Sequence, residues 1–293
     1  MVMAELHLLE KKHPDDTAQV HFDALIGIDA HKEMLVDGLI LLLSHKRLEA
    51  WSHRHHPKGL RLLETLHGVS PLVLLSGEVG CGKTALATTV GTPLAKELKE
   101  KVLVLETPSN IRGTGMVGEL SARVTDAFIQ ARAKVGKGVG LLIIDEADDL
   151  GLSRSESQAH HEDRAGLNVL IKQIDLLSRE KTRMAVLMIT NRARAMDPAL
   201  LRRATLTLEF RRPGSAERLL LFERLLEGVR YHAKDVELLV TRSERPVLFS
   251  YSDLMQRVAR TALLDSLRKD KALGPESLLV ALDAIEPSPL MET

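Results

Sequence analysis

The stretch LLSGEVGCGKTAL, residues 74–86, decides how the rest of the chain is read. It follows the apolar run PLVLL and sets Gly77, Gly80, Gly82, Lys83 and Thr84 in the pattern Gly-x-x-x-x-Gly-Lys-Ser/Thr. Glycines there let backbone amides close on phosphate oxygens. A helix starting near Lys83 adds its positive dipole end. Lys83 is then expected to reach the β- and γ-phosphates of ATP, and the Thr84 hydroxyl to ligate Mg²⁺. Val79, Cys81 and Ala85 join the glycines as nucleotide-binding positions. Cys81 reads either as a small tolerated residue or as a redox brake on binding.

A phosphate cradle alone hydrolyses nothing. The second piece is LLIIDEAD, residues 141–148, where four aliphatic residues precede two carboxylates. That places Asp145 at the C-terminal end of a buried strand, where ligands of open α/β sheets bind. Asp145 is expected to hold Mg²⁺ through its water shell, and Glu146 to polarise the attacking water as general base. The third piece is MITNR, residues 188–192, in which Asn191 ends another apolar strand and can hydrogen-bond the γ-phosphate or the lytic water.

Composition bounds the class. The chain has 293 residues, 44% hydrophobic and 27% charged, an ordinary globular mix long enough for a large domain and a small one. Forty basic side chains balance forty acidic ones, which argues against general affinity for nucleic acid or membranes. The charge is uneven, with nine arginines against five acidic residues between Arg192 and Arg230. Aromatics make up only 3%, so the core must be aliphatic. Cys81 is the sole cysteine, which rules out an internal disulfide and fits a reducing compartment. No apolar run approaches the roughly 18 residues of a membrane span. MVMAELHLLEKKHPDD at the start lacks the apolar segment of a secretory signal. A cytoplasmic location is expected.

Short apolar runs alternate with helical patterns, which predicts an α/β fold with a parallel sheet covered on both faces. The five expected strands are PLVLLSG (71–77), KVLVLE (101–106), GLLIID (140–145), RMAVLMITN (183–191) and ATLTLEF (204–210). After RRPG (211–214) the pattern turns helical. The expected organisation is a polar tail over residues 1–20, an α/β nucleotide-binding domain over 21–213 and a helical lid domain over 214–293.

In this order the motifs resemble the AAA+ ATPases. The likeness covers roughly residues 21–270 and rests on FDALIGIDAHKEML, GEVGCGKT, LLIIDEAD, ITNR, MDPALLRRA and SYSDLMQRVARTALLDSL. It implies a P-loop NTPase with a five-stranded parallel sheet and a small α-helical lid, and a homo-oligomer, usually a hexamer, with ATP at each subunit boundary. It also implies that Ile26 and Gly27 lie against the adenine. Within MDPALLRRA, an arginine finger is expected to reach a neighbour's site. Arg202 sits at the first finger register of the protein-remodelling branch and Arg203 is the other candidate; Thr205 replaces a second finger. Ser252 stands where many relatives carry a further phosphate-sensing arginine.

Remodelling relatives carry an aromatic–aliphatic–glycine loop that lines the ring's pore and grips polypeptide. Here that register reads Met116–Val117–Gly118. Met adapts to irregular apolar partners, though a buried Met anchoring a loop is the plainer reading. GLSRSESQAHHEDRAG (151–166) would be a second pore loop. Neighbouring His160, His161, Glu162 and Asp163 cannot converge on one ion, and neither can His53, His55 and His56. RVTDAF, GLNVLIKQIDLL and LLRRATLTLEF narrow the resemblance to the pachytene-checkpoint type of ATPase, which opens HORMA-domain proteins. Bacterial members act beside cGAS-like nucleotidyltransferases in antiphage operons. The competing reading is a DNA-transaction ATPase using the Arg-rich 192–230 segment; a non-hydrolysing scaffold is countered by Glu146, Asn191 and Arg202.

Overall fold

The computed structural model describes residues 6–56, 58–66, 68–108, 111, 118–148, 161–180 and 182–290. Two compact units emerge. The first holds residues 1–22, 30–76 and 84–209, and the second holds 23–29, 77–83 and 210–293.

The first unit is built on a sheet of β1 (Leu9–His13), β2 (Leu72–Gly77), β3 (Val102–Glu106), β4 (Val139–Ile144), β5 (Met184–Thr190) and β6 (Ala204–Phe210). Its order is β1-β3-β4-β5-β2-β6. β3, β4, β5 and β2 pair in parallel, with Glu106 opposite Ile143, Ile144 opposite Met188, and Ser76 opposite Thr190. Both faces are covered. Leu72, Leu74, Leu142, Ile144, Val186 and Met188 pack into one core cluster with Phe128, Leu170 and Ile174. Their alternate neighbours Val73, Leu75, Leu141, Ile143, Leu187 and Ile189 point to the other face and are also fully buried. That is why each strand reads as an unbroken apolar run.

The helices that accompany this sheet are α1 (Asp16–Asp23), α2 (Asp29–Leu43), α3 (His45–His55), α4 (Arg61–Leu66), α5 (Lys83–Thr89), α6 (Gly91–Leu98), α7 (Glu119–Val135), α8 (His161–Arg179) and the short α9 (Pro198–Leu201). α7 and α8 pack together, where Gly166 gives room for Leu120.

Among the described residues, the sheet adds one strand to the five expected, and it lies inside the segment read as a polar tail. β1 runs antiparallel to β3, from Leu9 opposite Glu106 to His13 opposite Val102. As an edge strand it exposes Leu9, Glu10, Lys11 and Lys12, so its side chains look like solvated chain. What holds it is the backbone ladder, together with Leu6 and Leu8 buried in the core.

The second unit is helical, with α10 (Ser215–Leu225), α11 (Ala233–Arg242), a π-helical run Asp253–Ala259 continuing into α12 (Arg260–Arg268), and α13 (Pro275–Ala284). Leu221, Phe222, Leu226, Leu239, Phe249, Leu254, Val258 and Leu282 form its own core, and Ile26 and Tyr251 pack against it. Among the described residues, no helix is long and apolar enough to cross a membrane.

Candidate active site

The phosphate loop follows β2 directly. Gly77, Gly80 and Gly82 all take positive φ, at 121°, 72° and 93°. A Cβ on Gly77 would collide with the Phe210 carbonyl oxygen, so only glycine admits this approach. The Glu78 N–H donates to that same carbonyl at 2.9 Å. Further on, the Ser252 N–H donates to Gly80 O at 3.0 Å. Lys83 Nζ lies within the loop, donating to Gly77 O at 2.9 Å and Glu78 O at 2.6 Å. Val79 stands out to solvent while Cys81 is 1% exposed. Burial pushes the Cys81 thiol up to about 11, ahead of the opposing influence of Lys83 and Arg212. Such a thiol is scarcely ionised at neutral pH, which speaks for the bland reading of Cys81 over a redox brake. Thr84 and Ala85, in the first turn of α5, are exposed.

The carboxylates sit where the strand reading put them. Asp145 follows β4, the strand flanked by β3 and β5. Its Oδ2 accepts from the Thr84 hydroxyl at 2.8 Å, bringing together the two residues expected at Mg²⁺. Its Oδ1 accepts from the Glu146 N–H at 2.8 Å. Glu146 has φ of 50°, a left-handed conformation that an ordinary L-residue adopts at a cost of about 1 kcal/mol or more. The kink leaves its carboxylate exposed. Asn191, just past β5, is half-buried, and its N–H reaches Asp148 Oδ1 at 3.4 Å.

Two residues were not singled out from sequence. Glu106 ends β3 in register with Ile143, and its carboxyl is raised by burial and then by the charge of Asp145. Asp148 is the other. The only available signal was position: each lies at or just past a strand end, and strand ends are often polar.

The two arginines of MDPALLRRA part company. Asp197 caps α9 by accepting from the Ala199 N–H, and Pro198 takes the first helical position. Arg203 then folds onto its own chain: Nε and Nη2 grip both oxygens of Asp175 at 2.8 and 3.0 Å, and Nη1 donates to Ala199 O at 3.1 Å. This fork raises the guanidinium's affinity for its proton. Arg202 is exposed, and among the described residues its side chain makes no hydrogen bond or ion pair.

The IGI segment packs on the helical unit: Ile26 lies against its core, and Tyr251 Oη donates to Gly27 O at 3.2 Å. Met116 and Val117 fall outside the described residues; Gly118 precedes α7 as its N-cap with φ of 81°. Most of the 151–166 segment, including His160, also lies outside them, while α8 begins at His161. His55 and His56 pack their rings against Trp51. No metal-binding group of His, Cys, Asp or Glu occurs among the described residues.

Comparison with known proteins places this geometry. The profile of the "ATPase family associated with various cellular activities (AAA)" matches residues 73–212. The chain is 36% identical over 289 residues to CD-NTase-associated protein 6 of Escherichia coli MS 115-1, covering 94% of this chain and 93% of that one. A chain in the solved structure of the E. coli MS115-1 HORMA:CdnC:Trip13 complex superposes with a TM-score of 0.91 at 34% identity, over 99% of this chain and 100% of the other. Rhizobiales Trip13 superposes with a TM-score of 0.74 at 30% identity, over 96% and 98%. The chain therefore belongs to the AAA ATPase family, and within it is similar to the CD-NTase-associated and Trip13 proteins.

Proposed function

We propose that this protein is a ring-forming ATPase that pulls on a HORMA-domain protein and so switches off an antiphage signalling complex. The observation that carries the proposal is the superposition, over nearly the full chain, on a component of a HORMA:CdnC:Trip13 assembly. The chemistry follows from the residues. Gly77, Gly80 and Gly82 hold the phosphates with Lys83. Thr84 and Asp145, already 2.8 Å apart with hard oxygen donors, suit Mg²⁺, which would neutralise phosphate charge. Glu146 orients and deprotonates the attacking water, and Asn191 fixes it against the γ-phosphate. Arg202 acts as the finger in a neighbouring subunit's site, because Arg203 is already spent on Asp175. The assembly is a homo-hexamer acting in the cytoplasm, with residues 21–213 as nucleotide-binding domain and 214–293 as lid. Met116–Val117–Gly118 grips the substrate chain.

A trap experiment tests this. The Glu146→Gln protein is expected to hold ATP without turning it over, and to retain a HORMA-domain protein on a column only when ATP is present. Failure to retain it, or hydrolysis by the wild type that rises with DNA and falls steeply with salt, would favour the DNA-transaction reading. Met116→Ala is expected to hydrolyse ATP while losing HORMA conversion; equal conversion would remove Met116 from the pore.

A further inference from the structure

Past α13 the chain runs without regular secondary structure through 286–290, a stretch that no sequence motif marks. Its middle residue is held by hydrogen bonds from side chain and backbone alike. Ser288 Oγ donates to Asp253 Oδ1 at 2.6 Å, and its N–H donates to Asp253 Oδ2 at 3.2 Å. Its carbonyl accepts from Arg212 Nη1 at 2.7 Å, and the next carbonyl, Pro289 O, accepts from Arg212 Nη2 at 2.8 Å.

Both partners lead to the phosphate loop. The Arg212 side chain is only 5% exposed; besides the two carbonyls above it donates to Leu248 O at 2.6 Å. Its remaining Nε faces Glu78 Oε2 at 3.5 Å, an ion pair in which neither atom has a hydrogen bond. Glu78 is the residue after Gly77, and three carbonyls therefore aim a buried cation at the start of the loop. On the other path, Asp253 accepts from the Ser250 N–H and hydroxyl, both at 3.0 Å. Two residues on, Ser252 donates its N–H to Gly80 O. Burial opposes the Asp253 charge, but bonds from Ser288, Arg257 and Ser250 outweigh it and hold the carboxyl well below the usual range. Asp253 thus stays ionised as an acceptor of five hydrogen bonds at any physiological pH.

We propose that Ser288 is a positioning residue for ATP binding: it ties Arg212 and Asp253 together, and through them holds the phosphate loop at Glu78 and at Gly80. This rests on reading Gly77–Thr84 as the ATP site. A loop whose carbonyls and amides are fixed before ATP arrives loses less conformational freedom on binding. Release of the latch therefore appears as weaker affinity rather than as lost folding.

The experiment measures the Kd of a fluorescent ATP analogue with Mg²⁺, alongside melting temperature, in the full-length protein. Ser288→Ala is expected to weaken binding about five- to tenfold, the scale of one ordinary net hydrogen bond. Ser288→Thr, which keeps the hydroxyl, is expected to restore it. Glu78→Gln, which removes the ion pair with Arg212 and spares the Ser288 bonds, is expected to weaken binding similarly. Arg242→Ala is the structural control: it breaks the Arg242–Asp283 pair of the same helical unit, and is expected to lower the melting temperature without moving Kd. Wild-type affinity in both Ser288→Ala and Glu78→Gln, with binding lost in Lys83→Ala, overturns the latch alone. An affinity that tracks melting temperature across all variants, Arg242→Ala included, also overturns it. Unchanged binding in Lys83→Ala overturns the site reading and the latch with it.

Discussion

The phosphate loop and the α9–β6 junction both present cations, and they are built in opposite ways. In the loop, polar groups are committed internally: Lys83 Nζ bridges two loop carbonyls, and Glu78 and Gly80 are pinned by Phe210 and Ser252. At the junction, two adjacent arginines divide the work, one gripping Asp175 and the other reaching solvent. A site completed by its own chain can be rigid in advance. The finger role proposed for Arg202 asks the opposite, a group left without a partner at home.

The sharpest break would come at the junction. Arg202→Ala is expected to cut ATP turnover about 10³- to 10⁵-fold while leaving ATP bound, the usual contribution of a finger. Mixing Arg202→Ala with Glu146→Gln protein would then restore part of the activity, measured as phosphate release, because each supplies what the other lacks. No recovery on mixing would mean that Arg202 acts within its own chain. Next in size, Glu146→Gln alone is expected to lower turnover about 10²- to 10⁴-fold with ATP affinity retained.

Arg203→Ala should behave differently from its neighbour. Its pair with Asp175 is about one-third exposed, so the expected cost is about 1 kcal/mol or less, read as a melting shift of a few degrees. A turnover loss matching that of Arg202→Ala would exchange their roles. Within the loop, the buried Cys81 thiol, pushed up to about 11, is expected to resist a disulfide reagent at pH 7 and to react once the chain is unfolded in denaturant.

The smallest effect concerns β1. His13 is 1% exposed, with Nδ1 at 2.7 Å from Thr92 Oγ1 and Nε2 buried without a partner. Burial, and then the charge of Lys11, lowers its proton affinity. The unfolded chain therefore binds a proton more readily than the folded one. The stability that neutral His13 contributes is full above its unfolded value of about 6.5 and declines as pH falls below it. Denaturant melts at pH 7.5 and 5.5 should show a larger acid loss in the wild type than in His13→Gln; equal losses would clear His13 of the effect.

Much of the site was legible because its chemistry is written in local order. A glycine pattern after an apolar strand, and carboxylates after another, need no knowledge of distant contacts. Buried strands announced themselves for the same reason, since a sheet covered on both faces demands continuous apolar residues. β1 escaped because an edge strand carries its information in backbone bonds to β3, which polar side chains hide. Glu106 and Asp148 escaped because a lone carboxylate near a strand end has no pattern of its own.

By itself, the sequence determined the α/β class, the five apolar strands in their order along the chain, the phosphate loop and the acidic pair, since period and spacing are properties of neighbouring residues. Only the tertiary structure decided which of Arg202 and Arg203 is available, which strand closes the sheet's edge, and how Ser288 reaches Glu78 and Gly80. Those answers depend on partners such as Asp175, Val102 and Asp253 that lie tens of residues away, and a side chain's freedom is set by whether such a partner arrives.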